Sequence, residues 1–371
     1  MNRRTFIRAG RTLADALAAA RLPRRRRVHY VGWTGYGNLG DEAVYEAVSS
    51  LLPGASFVPV DILKHHGRVL GDLLKGLLPS CCLGGGTLIH TRHASEVRWA
   101  LDRGVPVFAF GTGVRDPDFW GDNDDSCNVA AWTGLLDRFM AVGVRGVLSR
   151  QLLIARGVPE DRVSVVGDPA LHFRQARPTK RLHRRILGVN FGGTRNLCWG
   201  GSDGANRDLF AAFLGAVLAE GWTVRLFCVW EDDFSAVREL QAALRPRTAE
   251  VVPFTLRPRR FVELASGCDV FVGLKLHSAV LAHCSYTPAI LVGYRPKCLD
   301  YMLTMGLQRW HVRCDEADPT ALSEMVDALY GELDEHQEML YERCSRFDRE
   351  LRRYAAHIWG ALSEMVGRGD T

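Results

Sequence analysis

Two doubly wound α/β domains in tandem are the fold this sequence predicts, and three observations predict it. Short apolar runs of strand length alternate with segments of helical periodicity, the pattern of parallel sheets covered by helices on both faces. The alternation breaks once, in a polar, basic stretch with Pro178 between Arg174 and Arg185, and then resumes. Several of the runs end in glycine or charged residues, as strands do where an α/β sheet meets its ligand.

Val28–Trp33 reads as the first buried strand. It is followed by Gly35-Tyr36-Gly37-Asn38-Leu39-Gly40 and by a helical pattern that opens with Asp41-Glu42-Ala43-Val44. Strand, glycine loop and helix start fit the dinucleotide fingerprint, because glycines let backbone approach a ligand and the free N–H groups of a helix start attract anions. Phe57–Val60 is the next strand, and Asp61 at its end stands about 20 residues past the loop, where that pattern places a ribose-binding acid. Cys81–Leu83 leads into Gly84-Gly85-Gly86-Thr87, Val105–Phe110 into Gly111-Thr112-Gly113, and Phe139–Val144 into Arg145. Three glycine clusters on one sheet edge point to a bound anion, with a tight turn under close packing as the competing account of Gly84–Gly86. Val163–Val166 ends at Asp168-Pro169, where Asp168 suits a helix cap.

The second series has strands at Ile186–Phe191, Thr223–Val229, Val251–Val252, Val270–Val272 and Ala289–Val292, and helices at Asp208–Leu218, Phe234–Leu244 and Arg259–Ala265. Its most chemically loaded segment is Gly273-Leu274-Lys275-Leu276-His277-Ser278, which offers a cation and a proton donor near a helix start. That combination suits an anion whose leaving oxygen must be protonated. Lys297, in Tyr294-Arg295-Pro296-Lys297, follows a strand as Arg145 does. Lys275, Arg145 and Lys297 are therefore expected to converge on an anion, against the commoner fate of such residues as surface charges. From Thr320 to about Met365 the pattern is helical. The expected divisions are a basic extension (1–27), a first domain (28–173), a linker (174–185), a second domain (186–318) and C-terminal helices packing back (319–371).

With 371 residues, 47% of them hydrophobic and 24% charged, the chain has the composition of a globular protein able to bury two cores. No apolar run reaches the roughly 20 residues that span a bilayer. The ten cysteines show no C-x-x-C spacing, which argues against zinc ribbons and redox dithiols and for a reduced compartment. His65-His66 and His90-Thr91-Arg92-His93 lack partners at a metal-binding spacing, so no metal site is expected. Neither a G-x-S-x-G elbow nor a P-loop occurs. The net charge of +5 is concentrated near the N-terminus, where Arg24-Arg25-Arg26-Arg27 reads either as a solvated tail or as a peripheral contact with an anionic membrane. Asn2-Arg3-Arg4-Thr5-Phe6-Ile7 has the look of a twin-arginine export signal, but Arg11 and Asp15 interrupt the apolar core such a signal needs. A cytoplasmic protein, at most at the inner face of the membrane, is the expectation, with no nucleic-acid partner.

Taken in order, Gly35–Ala43, Gly84–Leu88, Gly111–Val114, Val144-Arg145, Asp168-Pro169-Ala170, Lys275-Leu276-His277-Ser278 and Tyr294–Lys297 resemble the polysaccharide pyruvyl transferase family over roughly residues 28 to 307. The resemblance implies a GT-B-like pair of Rossmann-like domains facing a cleft, the first on the acceptor side and the second on the donor side. It implies transfer of the pyruvyl unit of phosphoenolpyruvate to two hydroxyls of a sugar in a cell-envelope or extracellular glycan, giving a cyclic ketal and phosphate with no cofactor beyond the phosphoenolpyruvate co-substrate. Lys275 and His277 fall on an Arg-Leu-His signature near the donor, with Lys where Arg is usual, which loses bidentate geometry. Arg145 falls on the arginine after a first-domain strand, with Gly146 where aspartate is common. On this reading His277, Lys275 and Asp41 are the catalytic residues. Arg145, Lys275, His277, Lys297, Gly85 and Gly86 bind the donor, and Asn38, Asp41 and Glu42 bind a sugar acceptor, free or lipid-linked. Asp41 and Glu42 are equally well explained as favourable charges in a first helical turn. Trp33, Trp99, Trp120, Trp199 and Trp230 are either core residues or a stacking face for the sugar. The rival functions are a NAD-dependent oxidoreductase, a GT-B glycosyltransferase using a nucleotide sugar, and a non-catalytic protein that binds a glycan or lipid carrier.

Overall fold

The computed structural model describes residues 26–59, 79–120, 129–178, 183–244 and 249–367. The chain forms two compact units. One comprises the chain up to Tyr36, Val44–Pro169 and the chain from Arg349 on; the other comprises Gly37–Ala43 and Ala170–Asp348. Asp61, His65-His66 and Arg24-Arg25 lie outside the described residues, as do 179–182 of the expected linker.

In the first unit, β1 (Arg27–Val31), β2 (Ser56–Val58), β3 (Ser80–Leu83), β4 (Gly86–Ile89), β5 (Val107–Val114), β6 (Ala141–Val144) and β7 (Val163–Val165) form one parallel sheet. The order is β2-β1-β3-β5-β6-β7, with β4 beside the end of β5. Every residue of β3 and β5 is buried, which explains why these strands read as continuous apolar runs. The helices are α1 (Leu39–Leu51), of which the part from Val44 belongs here, α2 (Thr91–Leu101), α3 (Pro117–Trp120), α4 (Ala130–Leu136) and α5 (Val147–Ile154). Leu83, Val97, Val107, Ala109, Trp132 and Val142 share one core.

One of the expected glycine loops is strand instead, and a second is strand at its last glycine. Gly111-Thr112-Gly113 continues β5, with Gly111 at φ +69 marking a register shift between Phe110 and Thr112. Gly86 pairs with Thr112 and opens β4. Gly84 and Gly85 are small because of packing: a Cβ would fall 2.2 Å from the Tyr30 ring at Gly84 and 2.2 Å from Val44 Cγ1 at Gly85.

The second unit has β8 (Ile186–Asn190), β9 (Thr223–Phe227), β10 (Glu250–Val251), β11 (Val270–Gly273), β12 (Ala289–Gly293) and β13 (His311–Arg313), all parallel in the order β10-β9-β8-β11-β12-β13. Its helices are α6 (Asp203–Ala219), α7 (Phe234–Ala243), α8 (Pro258–Ala265), α9 (Leu276–Cys284), α10 (Pro296–Thr304), α11 (Pro319–Gly331) and the start of α12 (Leu333–Gly367). All nine residues of α9 are buried. The strand order runs outward in opposite directions from β8 and β11, so the topological switch point lies between their C-terminal ends.

The division between the units falls at Pro169/Ala170, ahead of 174–185. The described residues of that stretch are tied into the second unit. Gln175 N donates to Cys284 O (2.8 Å), and Arg184 N and Ile186 N both donate to Asp269 Oδ2 (2.9 and 3.0 Å).

Candidate functional site

At the switch point of the second unit, Asn190 and Gly273 stand opposite one another in register. The buried Asn190 side chain donates to Phe227 O (3.0 Å) and accepts from Lys275 N (3.0 Å), and Leu274 N donates to Asn190 O (3.1 Å). One side chain thus fixes the backbone of Lys275 immediately before α9 begins. Gly273 is required there, since a Cβ would lie 2.4 Å from Ser278 Oγ, which donates to Lys275 O (2.7 Å).

The Lys275 ammonium is held from several sides. It donates to Gly193 O, lies 3.7 Å from Asp233 Oδ1, and sits 5.6 and 5.3 Å from the ring centroids of Trp230 and Tyr294. The side chain is only 11% exposed. Asp233 closes the short helical turn Glu231–Asp233 after β9 and is 1% exposed. Burial pushes its carboxyl up to about 6, although the Lys275 ammonium and the Gly193 N–H pull the other way. Its Oδ2 has no hydrogen-bond partner among the described residues. The carboxylate lies against Gly192, where a Cβ would come within 2.3 Å of Asp233 Cγ.

The segment from Gly192 to Asp203 surrounds these groups. Arg195 and Asn196 both have left-handed φ (58 and 55), a strained pair braced by Asp203. Asp203 accepts from Thr194 N (2.7 Å) and Asn196 N (3.2 Å). Burial opposes ionisation of Asp203, but the hydrogen bonds from the Thr194 hydroxyl and from the backbone of Thr194, Asn196 and Arg195 hold its carboxyl below the usual range. Arg195 stacks 4.9 Å from the Trp230 centroid.

His277 lies in the first turn of α9, buried, and packs against the start of α1. A Cβ on Gly40 would fall 2.0 Å from His277 Nδ1 and 2.5 Å from Cγ, so the imidazole rests on the glycine itself. The segment Gly37–Ala43 is held by Leu39 N to Val229 O (2.8 Å), Glu231 N to Gly37 O (3.0 Å) and an antiparallel bridge between Asn38 and Trp230. Asn38 Oδ1 accepts from Gly40 N (2.9 Å) and Asp41 N (3.4 Å), so its carboxamide oxygen is the cap of α1. Asp41 and the buried Glu42 both stand in the first turn.

Lys297, near the start of α10, is 5.0 Å from the Tyr294 centroid, and Arg295 is 4.9 Å from it. Lys275, His277, Lys297, Asn38, Asp41 and Glu42 all belong to the second unit; Arg145, Gly85 and Gly86 belong to the first.

Arg145 leaves the end of β6 and is 2% exposed. Its guanidinium lies over β5, where a Cβ at Gly113 would be 2.7 Å from Nη2, and its Nη1 is 3.9 Å from Asp168 Oδ2. Asp168 is thus the counter-ion of Arg145, and it stands immediately before the short helical turn Pro169–Phe173. The charge is buried, and burial without such a partner is costly. In the same unit, His90, His93 and Trp33 form edge-to-face ring pairs at 4.9 and 5.8 Å. Among the described residues no cluster of three or more His, Cys, Asp or Glu could hold a metal ion.

Asp233, Asn190 and Gly193 were not singled out from the sequence, Trp230 was read only as core or a stacking face, and Tyr294 only as part of the segment that carries Lys297. Each follows or ends a strand of the second sheet, which is the one signal that could have found them.

The profile of the polysaccharide pyruvyl transferase family matches residues 38–296, well over half of the chain, and the chain belongs to that family. Among solved structures, a UDP-GlcNAc 2-epimerase from Neisseria meningitidis bound to UDP-GlcNAc is similar at a TM-score of 0.57 and 12% identity, over 90% of this chain and 100% of the other. HepE of Anabaena in complex with UDP and glucose is similar at a TM-score of 0.58 and 10% identity, over 91% and 100%. At such identity the likeness is one of fold, and it places the two parallel α/β units among GT-B proteins.

Proposed function

We propose that this member of the polysaccharide pyruvyl transferase family transfers the pyruvyl group of phosphoenolpyruvate to two hydroxyls of a glycan sugar, forming a cyclic ketal and releasing phosphate. The observation that carries the reading is the pair Lys275 and His277 at the switch point of the second sheet, inside the segment the family profile matches. Phosphoenolpyruvate presents a phosphate and a carboxylate. Lys275, Arg295 and Lys297, gathered around Tyr294, supply cations of the kind such a donor needs.

The reaction balances without a cofactor. The enol phosphate, CH₂=C(COO⁻)OPO₃²⁻, and a sugar diol yield the ketal, CH₃C(COO⁻)(OR)₂, and HPO₄²⁻. Of the two hydroxyl protons, one ends on C3 and one on phosphate. In this reading His277 protonates the bridging oxygen as the C2–O bond to phosphate breaks, then takes the proton of the second attacking hydroxyl. Lys275, with its charge shared by Asp233 and the Gly193 carbonyl, is a fixed cation near the donor. Arg145 serves as a further clamp on the donor, and Asn38, Asp41 and Glu42 bind the acceptor, with Asp41 also assigned a catalytic part. The acceptor is a sugar, free or lipid-linked, met at or near an anionic membrane surface.

Phosphate release from phosphoenolpyruvate in the presence of a panel of glycosides, with mass spectrometry for the added ketal, tests the reading directly. His277→Ala is expected to lower turnover by about 10²- to 10⁴-fold. An enzyme that releases no phosphate with any glycoside, or an alanine variant that keeps wild-type turnover, would contradict the assignment.

A further inference from the structure

The Tyr294 ring gathers the cations of the site, but its hydroxyl has no part there, and its surroundings are unusual for a buried tyrosine. It follows β12, which pairs with β11 through Gly273 and Leu291, so it stands one strand away from the segment that carries Lys275 and His277. It is 5% exposed. Other tyrosines of the protein place their hydroxyls on protein partners: Tyr45 on Phe57 O (2.9 Å), Tyr301 on His283 Nδ1 (2.8 Å), Tyr354 on Ala109 O (2.7 Å) and Tyr286 on Gln175 O. The Tyr294 hydroxyl makes no hydrogen bond to any described residue, while three cations stand 4.9 to 5.3 Å from its ring centroid. The oxygen is not among the enclosed side-chain atoms that lack a partner, so it stays open to a ligand, and phenylalanine would keep both the packing and the cation–π contacts. The oxygen adds nothing to the fold that phenylalanine would lose.

We propose that the Tyr294 hydroxyl is the acid and base on the carbon side of pyruvyl transfer, giving its proton to C3 of phosphoenolpyruvate and recovering one from the first sugar hydroxyl that attacks C2. The inference rests on the pyruvyltransferase reading and adds to it the group that handles the C3 proton. The electrons of the C2–C3 double bond form the new C3–H bond, leaving a cationic C2 and a phenolate. The first hydroxyl adds to C2 and its proton passes to the phenolate, restoring the phenol. The C2–O bond to phosphate then breaks, His277 supplies the proton to phosphate, and the second hydroxyl closes the ketal and returns a proton to His277. Both groups end as they began.

A phenol suits this role when its phenolate is stabilised. The titratable groups that face Tyr294 are Lys275 from the end of β11, Arg295 beside it, and Lys297 and Cys298 from α10. Burial alone would raise the phenol, but the charges of Lys297, Arg295 and Lys275 outweigh it and hold the group below the usual tyrosine range. No new cofactor or co-reactant is involved.

Tyr294→Phe removes one oxygen and retains the ring. With donor and acceptor saturating, the variant is expected to lose about 10²- to 10⁴-fold in kcat while KM for phosphoenolpyruvate changes little, since the cations remain. The ultraviolet difference titration of wild type against Tyr294→Phe should show one tyrosine ionising below about pH 10, a signal that purely structural packing would not produce. Near-wild-type kcat in the variant, or no early-ionising tyrosine in the difference titration, overturns the role of Tyr294 and leaves the pyruvyltransferase reading standing. A wild-type enzyme that releases no phosphate from phosphoenolpyruvate overturns that reading and this inference with it.

Discussion

Asp233 shows how much one buried charge can decide. Its folded carboxyl, raised to about 6, lies above the unfolded value of about 3.9, so between those limits the folded state binds more protons than the unfolded chain. The residue's contribution to stability is therefore greatest at low pH and declines as pH rises through about 6. Above that, holding the ion in place costs up to about 3 kcal/mol. Asp233→Asn removes the titration, so the difference in Tm between variant and wild type should grow in the variant's favour between about pH 4.5 and about pH 7.5, on the order of 5 °C. Thermal melts across that range check it, and a flat difference would sink the idea. The same substitution takes away the counter-charge of Lys275. None of this was legible from Glu231-Asp232-Asp233 alone: three adjacent acids look equivalent in sequence, and only the approach of Gly192 and Lys275 makes the third one different.

Elements were easier to read than the purposes of their glycines. The apolar runs located most strands of both sheets, because buried parallel strands are apolar on both faces, whereas β4 opens inside a glycine cluster and β13 sets one valine between His311 and Arg313, so neither stands out. The glycine clusters divided. Gly111–Gly113 is a bulged strand and Gly84-Gly85 a packing requirement, while the loop before α1 brings a helix start against a histidine. That last case yields a sharp test. Gly40 has ordinary helical geometry, so Gly40→Ala should help α1 by up to about 1 kcal/mol on propensity alone. Its Cβ would, however, occupy the position of the His277 ring. Displacing a reacting group by about 1 Å costs about 10²-fold. Gly40→Ala is expected to keep wild-type helical content by circular dichroism and to lose activity on that scale, and retained activity would mean that the His277 position seen here is not the working one.

At the scale of the whole molecule, the tandem α/β organisation was legible from alternation alone, but the fate of the last helix was not. Its amphipathic pattern says that a face is buried and does not say against which sheet. The structure divides α12 between the units at Asp348/Arg349. Asp348 accepts from His172 Nδ1 (2.9 Å) in the second unit. Beyond it, Leu351, Tyr354, Ala355, Ile358 and Leu362 are buried at helical spacing in the first. Tyr354 packs edge-on to Phe110 at 5.2 Å and lies on Gly143, and Trp359 covers Gly54, so this half of the helix is part of the core that holds β5 and β6. Removing those side chains from water contributes on the order of 5–10 kcal/mol, comparable with the whole stability of a domain. A chain ending at Asp348 is therefore expected to lose hydrogen-exchange protection in β1, β3, β5 and β6 while β8, β11 and β12 keep theirs, because the second unit retains its own core and the Asp348 anchor. Exchange followed peptide by peptide separates this from the alternative: equal loss in both sheets would show that the two units unfold as one.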